Sequence, residues 1–120
     1  MKYLLIALTL FTANAAKAEV FTCYQTEPFI SEVYNVEKGT LKITEEVMKE
    51  TKTLRNLKLV IKGEGRFEIR NAANKTIRVM ILNNQGSDGM SDRIYPYSGT
   101  SINGTNSAGC ESSELKATNE

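Results

Sequence analysis

Apolar and polar residues alternate along most of this chain at a period of two, the spacing of a strand with one buried face. "EVFTCYQ" (19–25) and "FISEVYNV" (29–36) each carry the pattern over a short run. Glu27-Pro28 separates them, because proline cannot donate to a ladder and biases its predecessor to extended geometry. "LKIT" (41–44) follows a turn signal at Gly39, and "TLRNLKLVIKG" (53–63) sets Leu57, Leu59 and Ile61 on one side. "RFEIRN" (66–71) alternates cleanly after "GEG", which predicts a tight hairpin connection. "TIRVMILNN" (76–84) is the most apolar run after the N-terminal segment and predicts a central strand. "IYPYSGTSI" (94–102) and "TNSAGC" (105–110) predict a last hairpin turning at Asn103-Gly104. Over "TEEVMKETKTL" (44–54) two readings fit. A short helix near 44–52 suits the acids early and lysines late, and a polar strand and turn suits the neighbours.

Seven or eight short strands with turns between them predict an all-β domain: a small antiparallel β-barrel, with a β-sandwich as the alternative. Closure into a barrel would remove the exposed sheet edges.

The first 18 residues break the pattern. Lys2, the apolar run "YLLIALTLF" and the small residues of "AKA" (16–18) have the layout of a cleaved signal peptide. The run is too short to cross a hydrocarbon core of about 30 Å. The expected mature chain is therefore a single domain over 19–112 with a flexible polar tail over 113–120, exported to the periplasm or beyond, with no stable membrane insertion.

Loss of Lys2 and Lys17 leaves 13 basic side chains against 14 acidic ones. With a near-neutral balance and no polybasic run, nothing here would draw the chain to nucleic acid or an anionic membrane by charge alone, and no nucleic-acid partner is expected. Cys23 and Cys110 are an even pair in a small exported domain, which predicts a disulfide. Two buried thiols or a metal pair are the alternatives, although two sulfurs without histidine make a poor zinc site.

Histidine is absent, which removes Ser-His and Cys-His catalysis. "SELK" (113–116) matches a Ser-x-x-Lys spacing in a polar tail that would not desolvate the lysine. Paired carboxylates would need a cleft that roughly 100 residues can scarcely build. No enzyme activity and no cofactor are expected. In "SDGMSDRIYPYSG" (87–99), an EF-hand register with Gly89 at position 6 supplies one carboxylate and no glutamate, so that template fails. The run reads instead as a turn: Gly89 takes positive φ, Asp88 and Asp92 cap backbone amides, and Pro96 fixes entry to a strand. The sequons at Asn74 and Asn103 are discounted, because the leader is bacterial in type.

"TEPFI" (26–30), "DGMSDRIYPY" (88–97) and "GC" (109–110) together resemble a family of bacterial exported proteins and lipoprotein-like proteins of uncharacterised role. The family pattern has tryptophan where Ile30 stands, and a cysteine just before Asp-Gly-Met-Ser-Asp, where this chain has Ser87. By that pattern Cys110 lacks its usual partner, and Cys23 is the candidate left. Members are similar in size, export and disulfide use to small β-barrel inhibitors of c-type lysozyme. The inhibitors' Ser-Gly-x-x-Tyr loop has no counterpart, since "SGTSI" ends in isoleucine. The resemblance implies a monomeric domain that binds an envelope protein or a small ligand. Lysozyme inhibition and a purely structural envelope role are the alternatives. The residues expected to bind are Asp88, Ser91, Asp92, Arg93, Tyr95 and Tyr97, supported by Glu27, Pro28, Phe29, Gly89 and Pro96. Tyr95 and Tyr97 are expected to point the same way, and Glu27 is expected to pair with Arg93.

Overall fold

The computed structural model describes residues 19–26, 29–100 and 107–119. The N-terminal segment read as a signal, Glu27, Pro28 and the Asn103-Gly104 turn lie outside the described residues. Nine strands follow one another among the described residues: β1 (Val20–Gln25), β2 (Ile30–Asn35), β3 (Thr40–Glu45), β4 (Glu50–Leu54), β5 (Lys58–Ile61), β6 (Arg66–Arg70), β7 (Thr76–Gly86), β8 (Tyr95–Thr100) and β9 (Ser107–Ser112). All pair antiparallel in one sheet of order β4-β3-β2-β1-β9-β8-β7-β6-β5. The chain thus makes two meanders, and they meet at the β1–β9 seam.

Alternation explains the inner face. Phe21 and Cys23 of β1, Leu41 and Ile43 of β3, Ile69 of β6 and Met80 of β7 are buried in one core. Phe21, Phe67 and Tyr97 form its aromatic centre, with ring centroids 5.4 to 6.0 Å apart. β1 and β6 are four ladder steps apart, about 19 Å in a flat sheet, yet the Phe21 and Phe67 rings touch. Glu32 of β2 and Arg78 of β7 are equally remote in strand order, and their side chains form a two-pronged buried ion pair at 2.7 Å. The sheet is therefore strongly curled around its own inner face.

It is not closed. β4 and β5, its two edges, do not pair, and only residues 55–57 join them. This corrects the reading of 53–63 as one strand: Asn56 is left-handed at φ 59° and turns the chain from one edge to the other. Leu57 is buried and donates its N–H to the Gly39 carbonyl at 3.0 Å. Gly39 is needed there, since a Cβ would stand 2.7 Å from the Leu57 carbonyl oxygen. On β4 the edge is blunted by exposed Glu50 and Lys52.

The helix considered over 44–52 is absent. Thr44 and Glu45 finish β3, Lys49 turns left-handed at φ 62°, and Glu50 opens β4. Burying both Leu41 and Ile43 requires a strand register, with Ile43 opposite Lys52, and that demand overrides helix propensity. Glu45 Oε1 caps the turn by accepting the Met48 N–H.

Cys23 and Cys110 stand directly opposite each other on β1 and β9 and are joined by a disulfide. The bond staples the seam between the two meanders and suits a non-reducing compartment. Beyond β9 the chain folds back where a flexible tail was expected. Ser113 donates its N–H to the Val20 carbonyl at 2.9 Å, and Ile94 and Thr118 exchange both backbone hydrogen bonds.

Candidate functional site

β7 overruns its ladder before the distinctive loop begins. Leu82 pairs with Tyr97 but Gly86 pairs with Tyr95, so residues 83–85 bulge from the register. Asn84 is left-handed at φ 55°, and Asn83 Oδ1 holds the bulge by accepting from the Gln85 N–H and the Ser98 hydroxyl. The loop over 87–94 then reaches β1. Gly89, at φ 90°, sits so close to Thr26 that a Cβ would stand 2.6 Å from the threonine hydroxyl.

Asp88 organises this loop. Its Oδ1 accepts the N–H groups of Met90 and Ser91 at 2.9 and 2.8 Å. Its Oδ2 accepts the hydroxyls of Ser91 and Tyr95 at 2.7 and 2.9 Å. Burial pushes the Asp88 carboxyl up, but the four donors outweigh it and hold its pKa down at about 2. Burial and the bond to this carboxylate push the Tyr95 hydroxyl up to about 12. At neutral pH neither group exchanges a proton, and both Asp88 oxygens are occupied by donors. The pair is therefore a brace, ill suited to general acid or base chemistry or to holding a cation.

Tyr95 is buried, its ring 6.0 Å from that of Tyr24. It lies against Gly109, where a Cβ would stand 2.5 Å from the ring. Tyr97 is elsewhere, packed on Phe21 and Phe67 in the core. The expectation that the two tyrosines point the same way is thus corrected, because the register shift beside them interrupts plain alternation. Arg93 stands over the Tyr95 ring at 5.6 Å, a cation–π contact. It also approaches Glu111 at 4.0 Å. Glu27, its expected partner, is outside the described residues.

These pieces enclose an open groove of about 500 Å³, within the range of small-ligand sites. One wall comes from Thr26, Phe29 and Ile30, and the other from Asp88, Met90, Ser91, Arg93 and Tyr95. Tyr24, Gln25, Ser31 and Glu46 complete the lining. Phe29 is 38% and Met90 70% exposed, unusual for such side chains. Among the expected binding residues, Asp92 is exposed but does not line the groove, and Tyr97 and Pro96 are buried in the sheet. Sequence reasoning missed Tyr24, Gln25, Ser31 and Glu46 and, within the two motifs, Thr26, Ile30 and Met90. Tyr24 carried a signal, since it falls on the face of β1 opposite Phe21 and Cys23.

Fold and groove together define a disulfide-stapled all-β domain with an open site beside its seam. No family model, no curated protein and no solved structure matches this chain.

Proposed function

We propose that this chain is an exported, non-catalytic, monomeric envelope domain that uses the groove to bind a protein segment or a small ligand. In this reading the curled sheet is a small barrel left open between β4 and β5. The observation that carries the proposal is convergence: Thr26, Phe29 and Ile30 of the first motif and Asp88, Met90, Ser91, Arg93 and Tyr95 of the second, some sixty residues apart in sequence, line one groove. Phe29 and Met90 stand exposed at its rim, where a stable monomer gains nothing from them. The brace formed by Asp88, Ser91 and Tyr95 presents the second wall without loop ordering on binding, which favours affinity.

Affinity capture from envelope extract tests this, with purified c-type lysozyme as a separate arm. Phe29→Ser/Met90→Ser is expected to lose the captured species while keeping the wild-type circular dichroism spectrum. Asp92→Ala, outside the groove, is expected to retain it. Equal recovery by wild type and the groove variant would overturn the proposal.

A further inference from the structure

The β5–β6 ladder sets like charges against each other. Residues 55–78 hold seven basic side chains against two acidic ones, whereas the rest of 19–120 holds six against twelve. Lys58 stands directly opposite Arg70. Four residues on, Lys62 continues the register to Arg66, donating its N–H to that residue's carbonyl. Like charges directly opposite destabilise a sheet, and this fold keeps two such rungs at one edge. All four side chains lie on the outer face, because the alternate residues Leu59, Phe67 and Ile69 pack on the core. The exposed Ile61 and Leu82 take that inner side as well, opposite Phe67 and Tyr97.

Between the two cationic rungs lie Val60 and Glu68. Glu68 is buried; it holds Arg66 and Arg70 at 2.7 and 2.6 Å and accepts the Thr76 hydroxyl at 3.1 Å. It thereby fixes both guanidinium groups on the face, and the middle rung offers no cation. Lys58 and Lys62 are exposed and have no ion-pair partner among the described residues. Four residues of strand put the two cationic rungs about 13 Å apart.

We propose that this outer face binds a linear anionic polysaccharide in which charged sugars alternate with neutral ones. One charged group sits at the Lys58–Arg70 rung and the next at the Lys62–Arg66 rung, with a neutral unit across Val60 and Glu68. A polyanion charged at every unit would press a negative group against Glu68. The sheet curls around its inner face, so this face is convex. A flexible chain can follow it, whereas a planar bilayer or a rigid duplex meets it along a narrow line. No aromatic side chain stands on this face of β5, β6 or β7 to stack the bases of a single strand. The exposed large apolar residues that would anchor a protein interface lie elsewhere. The face is independent of the groove, which none of its residues lines.

Titration calorimetry of the disulfide-intact mature protein with short hyaluronan chains, in which uronates alternate with neutral sugars, tests the proposal. Binding is expected to hyaluronan and not to neutral dextran, and should weaken as salt rises. Lys58→Glu/Lys62→Glu should weaken it by roughly tenfold or more. The same variant should melt no lower than wild type, because each like-charge rung becomes an opposite-charge one. Lys58→Gln/Lys62→Gln should weaken binding in the same direction. Lys38→Glu/Lys42→Glu, an equal change of net charge on the other meander, should leave it near wild type. Equal loss in both charge-reversed pairs, no binding of hyaluronan by wild type, or tighter binding of oligothymidylate or phosphatidylglycerol vesicles than of hyaluronan would each overturn it.

Discussion

Replacing Asp88 by asparagine isolates the charge of the brace from its shape. The substituted amide keeps an oxygen for the Met90 and Ser91 N–H groups, and its nitrogen faces two hydroxyls that can rotate to accept. What it lacks is the anion. An aspartate held at about 2 against an ordinary value near 3.9 would contribute up to about 2.5 kcal/mol at neutral pH. The loop is partly open to solvent, and screening cuts this to about 1 to 2 kcal/mol. A depressed carboxyl stabilises the fold above its unfolded pKa, and that contribution disappears as pH falls through the folded value. Urea denaturation of wild type and Asp88→Asn should therefore differ by about 1 to 2 kcal/mol at pH 7, or about 5 to 10 °C in Tm for a domain of this size. The gap should narrow between about pH 4 and pH 2 and close below it. Because other carboxylates titrate equally in both proteins, the difference belongs to this site. A gap that stays constant from pH 7 down to about pH 2 would refute the argument.

Other perturbations probe the frame that holds the site. Removing the disulfide as Cys23→Ala/Cys110→Ala frees a loop of 87 residues and should cost about 4 to 5 kcal/mol in chemical denaturation; a loss below about 1 kcal/mol would mean the seam holds without it. Arg78→Ala strands the buried Glu32 carboxylate and should cost about 3 to 5 kcal/mol, while Glu32→Leu/Arg78→Met should be near neutral, a contrast readable by thermal melts. Gly109→Ala drives a methyl group into the Tyr95 ring and the Ser87 backbone, 2.5 and 2.9 Å away. It should cost about 1 to 3 kcal/mol and weaken groove binding. Unchanged stability would show that the loop does not rest on β9.

The strands were legible because burial of one face imposes a period of two, and the inner residues of β1, β3, β6 and β7 obey it. The disulfide was legible from cysteine number and the export-type leader. The curl was not: nothing local marks that Phe21 meets Phe67 or that Glu32 meets Arg78, since both contacts join strands four ladder steps apart. Thr53–Gly63 misled for a related reason. Leu57, Leu59 and Ile61 keep strand spacing straight through Asn56, whose left-handed backbone carries the chain between opposite edges. Over 44–52 the helix formers were genuine, but they line a hairpin whose register is dictated by Ile43.

The same limit applies to the site and to the charge. Asp88, Ser91 and Tyr95 could be chosen from their loop because turn chemistry is local, with a carboxylate accepting amides two and three residues ahead. Tyr24, Ser31 and Glu46 belong to other strands and turns and join the groove only once the first meander lies beside the loop. Tyr97 satisfied every local criterion for the site and went to the core, because its place opposite Leu82 and Cys110 keeps it on the inner face, while Tyr95, beyond the register shift, takes the other. Net charge fails in the opposite direction, by averaging. Residues 19–120, with 13 basic and 14 acidic side chains, would have no electrostatic preference if those charges were mixed in space. This fold instead lays most of a contiguous basic segment along one sheet edge, with Arg78 alone turned inward to Glu32, so the local potential at that edge differs from the sum.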